Sequence, residues 1–141
     1  MRFLDANIFI YAYYKPKKPL NQKEKHMKDQ AKKIITKISQ AKEEVTTTVI
    51  HISETVNILK HGLKLEELNK LILGMFMLDN IKIKSVTREQ YLAATELAEE
   101  LELESNDALA VDIMKQDNIT EIYTFDEDFE KIEGIAKLPK P

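Results

Sequence analysis

The sequence has no cysteine and only three glycines, three histidines and four serines. Without cysteine there can be no disulfide scaffold, thiolate zinc site, iron–sulfur cluster or thiol nucleophile. Gly62, Gly74 and Gly134 lie too far apart to form a GxGxxG loop, and no GK[ST] closes a phosphate loop. His26, His51 and His61 make no HExxH and show no other spacing that builds a site, and no serine sits in GxSxG. Long apolar runs are also missing. The longest, Leu71–Leu78, is interrupted only by Gly74 and falls far short of the ~20 residues a membrane helix needs. A carboxylate as early as Asp5 breaks the apolar core of a signal peptide. The expectation is a cytoplasmic chain with no membrane partner, which the lack of cysteine suits.

Carboxylates are the abundant chemistry that remains. The 141 residues are 43% hydrophobic and 32% charged, with a formal charge of −3, which predicts one domain over residues 1–141 with a real core. The charge is unevenly placed. Lys15 to Lys42 holds ten lysines against Glu24 and Asp29, a local net of +8, so the rest of the chain carries −11. Glu96 to Glu133 holds fourteen acids against Lys115 and Lys131, a net of −12. Such asymmetry fits an anionic partner on one side and bound cations on another, or simply two solvated helix faces.

Apolar runs and β-branched stretches predict short strands at Arg2–Asp5, Val45–Val49, Ile81–Val86, Glu121–Phe125 and Ile135–Leu138. Helical periodicity fills the intervals. A first helix starts in Ala6–Tyr14 and breaks at Lys15-Pro16-Lys17-Lys18-Pro19. A second runs from about Asn21 to Lys42, with Met27, Ala31, Ile34, Ile35, Ile38 and Ala41 as its apolar stripe. Lysines 25, 28, 32, 33 and 37 take its other side. His51–Lys60 is helical, with His61-Gly62 as its expected C-cap. Leu65–Leu78 follows, and its apolar second half needs cover on more than one face, in a deep core or a subunit contact. Thr87 and Gln90 form a capping box for a helix to about Leu101. Ser105 or Asn106 is expected to cap the next helix, which ends near Asp117. The alternation β-αα-β-αα-β-αα-β-α-β predicts an α/β fold with a parallel sheet covered on both faces.

In such sheets ligands bind beyond the carboxyl ends of the strands. That rule sorts the 24 acids. Asp5 follows the first strand and Asp126 the fourth, though either could be a turn residue or helix cap. Glu54 lies between Ile50 and Ile58 at spacings of four and so interrupts apolar surface; partial exposure is the alternative. Asp107 stands three, four and seven residues before Ala110, Val111 and Met114. Asp112 and the group Glu96, Glu99, Glu100, Glu102 and Glu104 are read as solvated. Carboxylates brought together repel unless a cation neutralises them, and oxygen-only ligation selects Mg²⁺ or Mn²⁺. Such ions serve phosphoryl transfer. Together with the lysine-rich segment, the acids point to a phosphodiester substrate.

Four segments then resemble a known family: Leu4-Asp5-Ala6-Asn7, Thr48 to Glu54 running into Thr55-Val56-Asn57-Ile58-Leu59, Asn106-Asp107-Ala108-Leu109-Ala110, and Thr124-Phe125-Asp126-Glu127-Asp128-Phe129. In this order they resemble the motifs of PIN-domain ribonucleases, most closely the VapC-type toxins of prokaryotic toxin–antitoxin pairs. The resemblance implies a three-layer α/β/α sandwich with a five-stranded parallel sheet, and metal-dependent cleavage of single-stranded RNA. It implies that Asp5, Glu54, Asp107 and Asp126 form an acidic quartet holding Mg²⁺ or Mn²⁺, with Asp128 as a further ligand. Asn7 and Thr124 would orient the carboxylates, and an activated water would attack phosphorus in line. A homodimer and a small inhibitory antitoxin protein are implied partners, with Leu71–Leu78 as part of the dimer contact. The segment Lys15–Lys28 is longer and more basic than the family's usual link. Lys15, Lys17, Lys18, Lys25 and Lys28 either grip RNA phosphates or belong to a surface loop. A non-catalytic PIN-fold module that binds RNA or protein is the alternative function. A phosphatase with a DxD nucleophile is disfavoured by Asn7.

Overall fold

Five short parallel strands lie at the centre of the computed structural model, which describes residues 1–141. They are β1 (Arg2–Leu4), β2 (Val45–Thr48), β3 (Ile81–Lys84), β4 (Glu121–Tyr123) and β5 (Ala136–Leu138). The helices are α1 (Ala6–Tyr13), α2 (Gln22–Ser39), α3 (Val49–Leu59), α4 (Leu65–Met77), α5 (Arg88–Leu101) and α6 (Ser105–Gln116), with a 3-10 turn at Glu127–Lys131. The order of elements matches the predicted alternation.

The strands are ordered β3-β2-β1-β4-β5. The chain steps outward from β1 through β2 to β3, then crosses back to β4 on the other side of β1. Parallel crossovers are right-handed, so reversing the direction of travel puts the later helices on the opposite face. Side chains alternate accordingly. Phe3 and Ile122 pack with Ala94 and Ala98 of α5 and Leu109 and Met114 of α6. Leu4 and Tyr123 pack with Ile8 and Phe9 of α1 and Ile35 and Ile38 of α2. Three layers result, with a core on each face of the sheet.

Local sequence explains most boundaries. Asn21 and Glu24 bond each other's backbone N–H groups in a capping box that starts α2. Thr87 and Gln90 do the same for α5, as expected. Ala31, Ile34, Ile35 and Ile38 are the buried stripe of α2, each isoleucine contributing roughly 1.5–3 kcal/mol by leaving water.

Several expectations are corrected. Glu104, without a side-chain bond, occupies the N-cap of α6 in place of Ser105 or Asn106. Gly62 is not left-handed, and α3 closes at Lys60. With so few glycines, the left-handed positions after α2, α5 and α6 fall to Ala41, Glu102 and Asn118, at φ of 58°, 57° and 56°. A left-handed residue with a Cβ costs about 1–2 kcal/mol, less for Asn. Glu96, Glu99 and Glu100 are exposed on α5, but Glu102 and Glu104 belong to the turn beyond it. The second half of α4 is not a deep core element. Met75 is buried, while Leu73, Phe76 and Met77 are 63%, 54% and 81% exposed. No helix is long and apolar enough to cross a membrane.

Candidate functional site

Chain order reverses between β1 and β4, and the crevice beyond the carboxyl ends of these strands is where such a sheet binds ligands. Asp5 is the residue after β1. It is 3% exposed, and its carboxylate is fixed from two sides: Ala6 N–H donates to Oδ1 at 2.8 Å and the Thr124 hydroxyl donates to Oδ2 at 2.7 Å. Asp5 is thus the N-cap of α1 as well as a candidate site carboxylate. Burial drives its pKa up to about 6 against the lowering effect of these two bonds, with Asp126 adding to the rise.

Thr124, fully buried after β4, is the hub of this corner. Its oxygen accepts from Asn7 Nδ2 at 3.2 Å and Asp126 N–H at 3.1 Å while its single proton goes to Asp5. Asn7 Oδ1 accepts from Phe125 N–H at 3.2 Å, tying the start of α1 to the end of β4. Asn7 and Thr124 therefore stand where they can orient Asp5 and the Asp126 turn. Asp126 in turn caps the 3-10 turn, accepting from Asp128 N–H at 2.9 Å.

Asp107 arrives from another direction. Helix α6 runs back toward the start of β4, so its first turn lies at the carboxyl edge of the sheet. Carboxylate oxygens of Asp107, Asp126 and Asp128 lie within 4.8 Å of one another. Burial, followed by the charges of Asp5, Asp126, Glu54 and Glu104, pushes the Asp107 carboxyl up to about 8. Asp5 and Glu54 stand outside the tightest trio yet near enough to repel Asp107. The five predicted acids thus meet around Asp107, which feels the charges of Asp5, Asp126 and Glu54 and lies with Asp126 beside Asp128.

Glu54 reaches this corner by a route different from the predicted one. The buried face of α3 is His51, Ile52, Thr55 and Leu59, whereas Ile58 is 43% exposed. Glu54 is half-buried at the margin and does not interrupt a core stripe. Its Oε1 accepts from Asn106 Nδ2 at 2.7 Å, and Asn106 Oδ1 accepts from the Tyr91 hydroxyl at 2.5 Å. The chain Tyr91–Asn106–Glu54 was not predicted. Asn106 could have been singled out as the neighbour of Asp107, but nothing in the spacing marks Tyr91.

His51 is buried on the same helix as Glu54. It is 1% exposed, with Nδ1 2.7 Å from Thr48 Oγ1 and its ring edge-on to Phe3. Thr48 Oγ1 already accepts from the N–H groups of Ile50 and His51, so its proton points to Nδ1 and leaves Nε2 protonated. Nε2 has no partner of regular geometry, although the Asn106 backbone lies on that side. Burial lowers the His51 pKa to about 4, and Glu54 and Asn106 only partly oppose this.

The lysine prediction splits. Only Lys15–Asn21 is irregular, and Lys25 and Lys28 belong to α2. The Lys28 side chain is engaged within the chain. Its ammonium donates to the carbonyls of Tyr11 at 3.0 Å and Tyr14 at 2.7 Å, closing the negative end of α1. Burial lowers its pKa. Lys15 pairs with Glu67 at 3.2 Å. Lys17, Lys18 and Lys25 are exposed. A cleft of about 340 Å³ beside α1 is lined by Tyr11, Tyr14, Leu20, Glu24, Lys28 and Ile58, and by none of the five predicted acids.

The donor set suits a hard divalent cation. It offers only oxygen, and burial, with repulsion adding to it, raises two of its carboxyls, a cost that a cation would offset.

A family model described as PIN domain matches residues 2–135. No curated protein sequence matches the chain. Among solved structures, the chain is similar to VapC20 of Mycobacterium tuberculosis, a sarcin–ricin-loop-cleaving toxin. The TM-score is 0.68 at 18% identity, covering 92% of this chain and 93% of that one. At that identity the likeness concerns the fold.

Proposed function

The chain belongs to the PIN domain family, and from that premise we propose that it is an endoribonuclease that cleaves single-stranded RNA with Mg²⁺ or Mn²⁺. The observation that carries this reading is the corner where Asp107 meets Asp126 and Asp128, with Asp5 and Glu54 close enough to raise its pKa. Asp5, Glu54, Asp107 and Asp126, with Asp128 at the rim, would hold the cation. When bound, the cation supplies charge neutralisation for the phosphodiester oxygens and lowers the pKa of water.

The chain's own residues set the geometry. Asp5 is immobilised by Thr124 and Ala6, so its carboxylate needs little reordering before reaction. Asn106 holds Glu54 against the start of α6. Asp107, at about 8, retains its proton in the bare chain at neutral pH and must release it to act as an anionic ligand. In the reaction the water oxygen bonds phosphorus while one phosphorus–sugar oxygen bond breaks, leaving a phosphate monoester and a hydroxyl.

The role in the cell that we propose is the toxin of a toxin–antitoxin pair, acting in the cytoplasm and restrained by a small antitoxin protein; the similarity in fold to the toxin VapC20 supports this reading. The protein forms one domain over residues 1–141. It works as a homodimer through α4, where Leu65, Leu73, Phe76 and Met77 are 73%, 63%, 54% and 81% exposed.

Labelled single-stranded RNA, incubated with Mg²⁺ or Mn²⁺ and then with EDTA, tests the reading. Cleavage that stops with EDTA and with Asp5→Asn supports it. Cleavage that persists in both would overturn it, and RNA binding without any cleavage would favour a non-catalytic module.

A further inference from the structure

Two adjoining clefts run along one side of α2 and meet at Gln30 and Pro139. The upper one, about 230 Å³, contains Lys23 and His26 of α2, with Phe125, Glu127, Glu130 and Lys137 opposite. Phe125 and Glu127 flank Asp126, so this cleft opens beside the acidic corner. The lower one, about 410 Å³, is lined by Arg2, Lys33, Lys37 and Lys140, together with Tyr123, and no acid lines it. Residues 23, 26, 30, 33 and 37 recur at helical spacing and share one side of α2 over ~21 Å.

These cations are not all neutralised within the chain. Arg2 and Lys37 pair with Glu43 at 3.0 and 3.3 Å, and Lys137 with Glu130 at 3.7 Å. Lys23, Lys33 and Lys140 are exposed and make no ion pair.

We infer that this groove is the track for the sugar–phosphate backbone of single-stranded RNA leading to the acidic corner. The choice of ligand rests on the ribonuclease reading above. An acidic corner repels phosphates, so the affinity for a polyanion must come from cations set apart from it but continuous with it. The groove meets both conditions, whereas Lys17 and Lys18, on the link before α2, line neither cleft. Phe125, partly buried and edge-on to Tyr11 at 5.1 Å, lines the upper cleft and offers part of its ring as an aromatic surface suited to a base. Unpaired lysines with an aromatic ring at the mouth of a carboxylate site favour nucleic acid over an acidic peptide.

Binding of a fluorescent oligoribonucleotide to the full chain, measured in EDTA over a range of salt, separates this inference from cleavage. The triple variant Lys23→Gln, Lys33→Gln, Lys140→Gln removes three exposed, unpaired charges and should fold with an unchanged thermal melt. Its slope of log affinity against log salt should fall by about 2, near 0.7 for each lost phosphate contact. Lys17→Gln with Lys18→Gln should leave the slope unchanged. An unchanged slope in the triple variant, or an equal fall in the Lys17/Lys18 variant, overturns the track. So does loss of binding to a Glu-rich peptide with RNA binding intact, which would assign the groove to a protein partner. If the triple variant loses slope while the wild type never cuts RNA under Mg²⁺ or Mn²⁺, the track stands and the nuclease reading fails.

Discussion

The two helical layers that sandwich the sheet have opposite charge and use it differently. The α5/α6 side belongs to a segment of net −12, yet one carboxylate of those two helices, Asp107, reaches the acidic corner. Glu96, Glu99 and Glu100 face solvent. The α2 side belongs to a segment of net +8, and its lysines divide by position along one helix. Lys28 closes the end of α1, Lys37 pairs with Glu43, and Lys23 and Lys33 stand unpaired in a groove. Net charge marks a region for attention, but the environment of each side chain decides what its charge does.

The largest effect should come from the acidic side. Asp107→Asn should lower RNA cleavage at least about 100-fold, the scale of losing an electrostatic contact to the reacting centre. Glu99→Gln with Glu100→Gln, in the same layer, should leave the rate within about 2-fold. Comparable losses in initial-rate assays would break the distinction between one placed acid and its solvated neighbours.

The pH dependence of stability sharpens the same point. In the folded chain Asp5 is raised to about 6 and Asp107 to about 8, whereas an unfolded Asp titrates near 3.9. Between those values the folded state binds more protons than the unfolded one, so stability falls as pH rises. The favourable contribution is complete below about pH 4 and lost as pH passes through 6 and then 8. Thermal melts in EDTA should therefore drop by on the order of 5 °C or more from pH 5 to pH 8.5. Mn²⁺ should reduce the drop, and a melt that is flat across this range in EDTA would argue that the corner is not under strain.

On the basic side, Lys28→Met removes the donors that close α1. The expected cost is about 1–2 kcal/mol, read as a lower midpoint in urea, with the salt dependence of RNA binding unchanged. A changed salt slope at constant stability would return Lys28 to the RNA-facing set. The smallest effect concerns the turns beyond the helices. Glu102→Gly should stabilise by about 1 kcal/mol, since glycine enters the left-handed region without a Cβ penalty. A loss of stability would mean that the Glu102 side chain contributes more than the strain it brings.

Much of this could be read in one dimension. The alternation of β-branched runs with helical stripes determines the order of elements, because periods of two and 3.6 are local properties. The capping box at Thr87 and the strand-end positions of Asp5 and Asp126 are likewise local. Spacing alone misplaces Glu54. Its supposed stripe ran through Ile58, which faces outward, because neighbouring helices and not spacing choose which face of α3 is buried. The roles of Tyr91 and Asn106 depend on two helices meeting α3, and Lys28 on where α1 happens to end.

The sequence by itself determined the parts: a parallel α/β alternation, a chain whose abundant chemistry is acid, and the carboxylates at the ends of strands. Only the tertiary structure decided the strand order β3-β2-β1-β4-β5, and so the crevice between β1 and β4. It also decided that Asp107 would meet Asp126 and Asp128 from the opposite layer, and that half a lysine-rich helix would face a groove. The physical reason is that hydrophobic periodicity acts over a few residues, whereas repulsion among carboxylates exists only once distant segments are brought together.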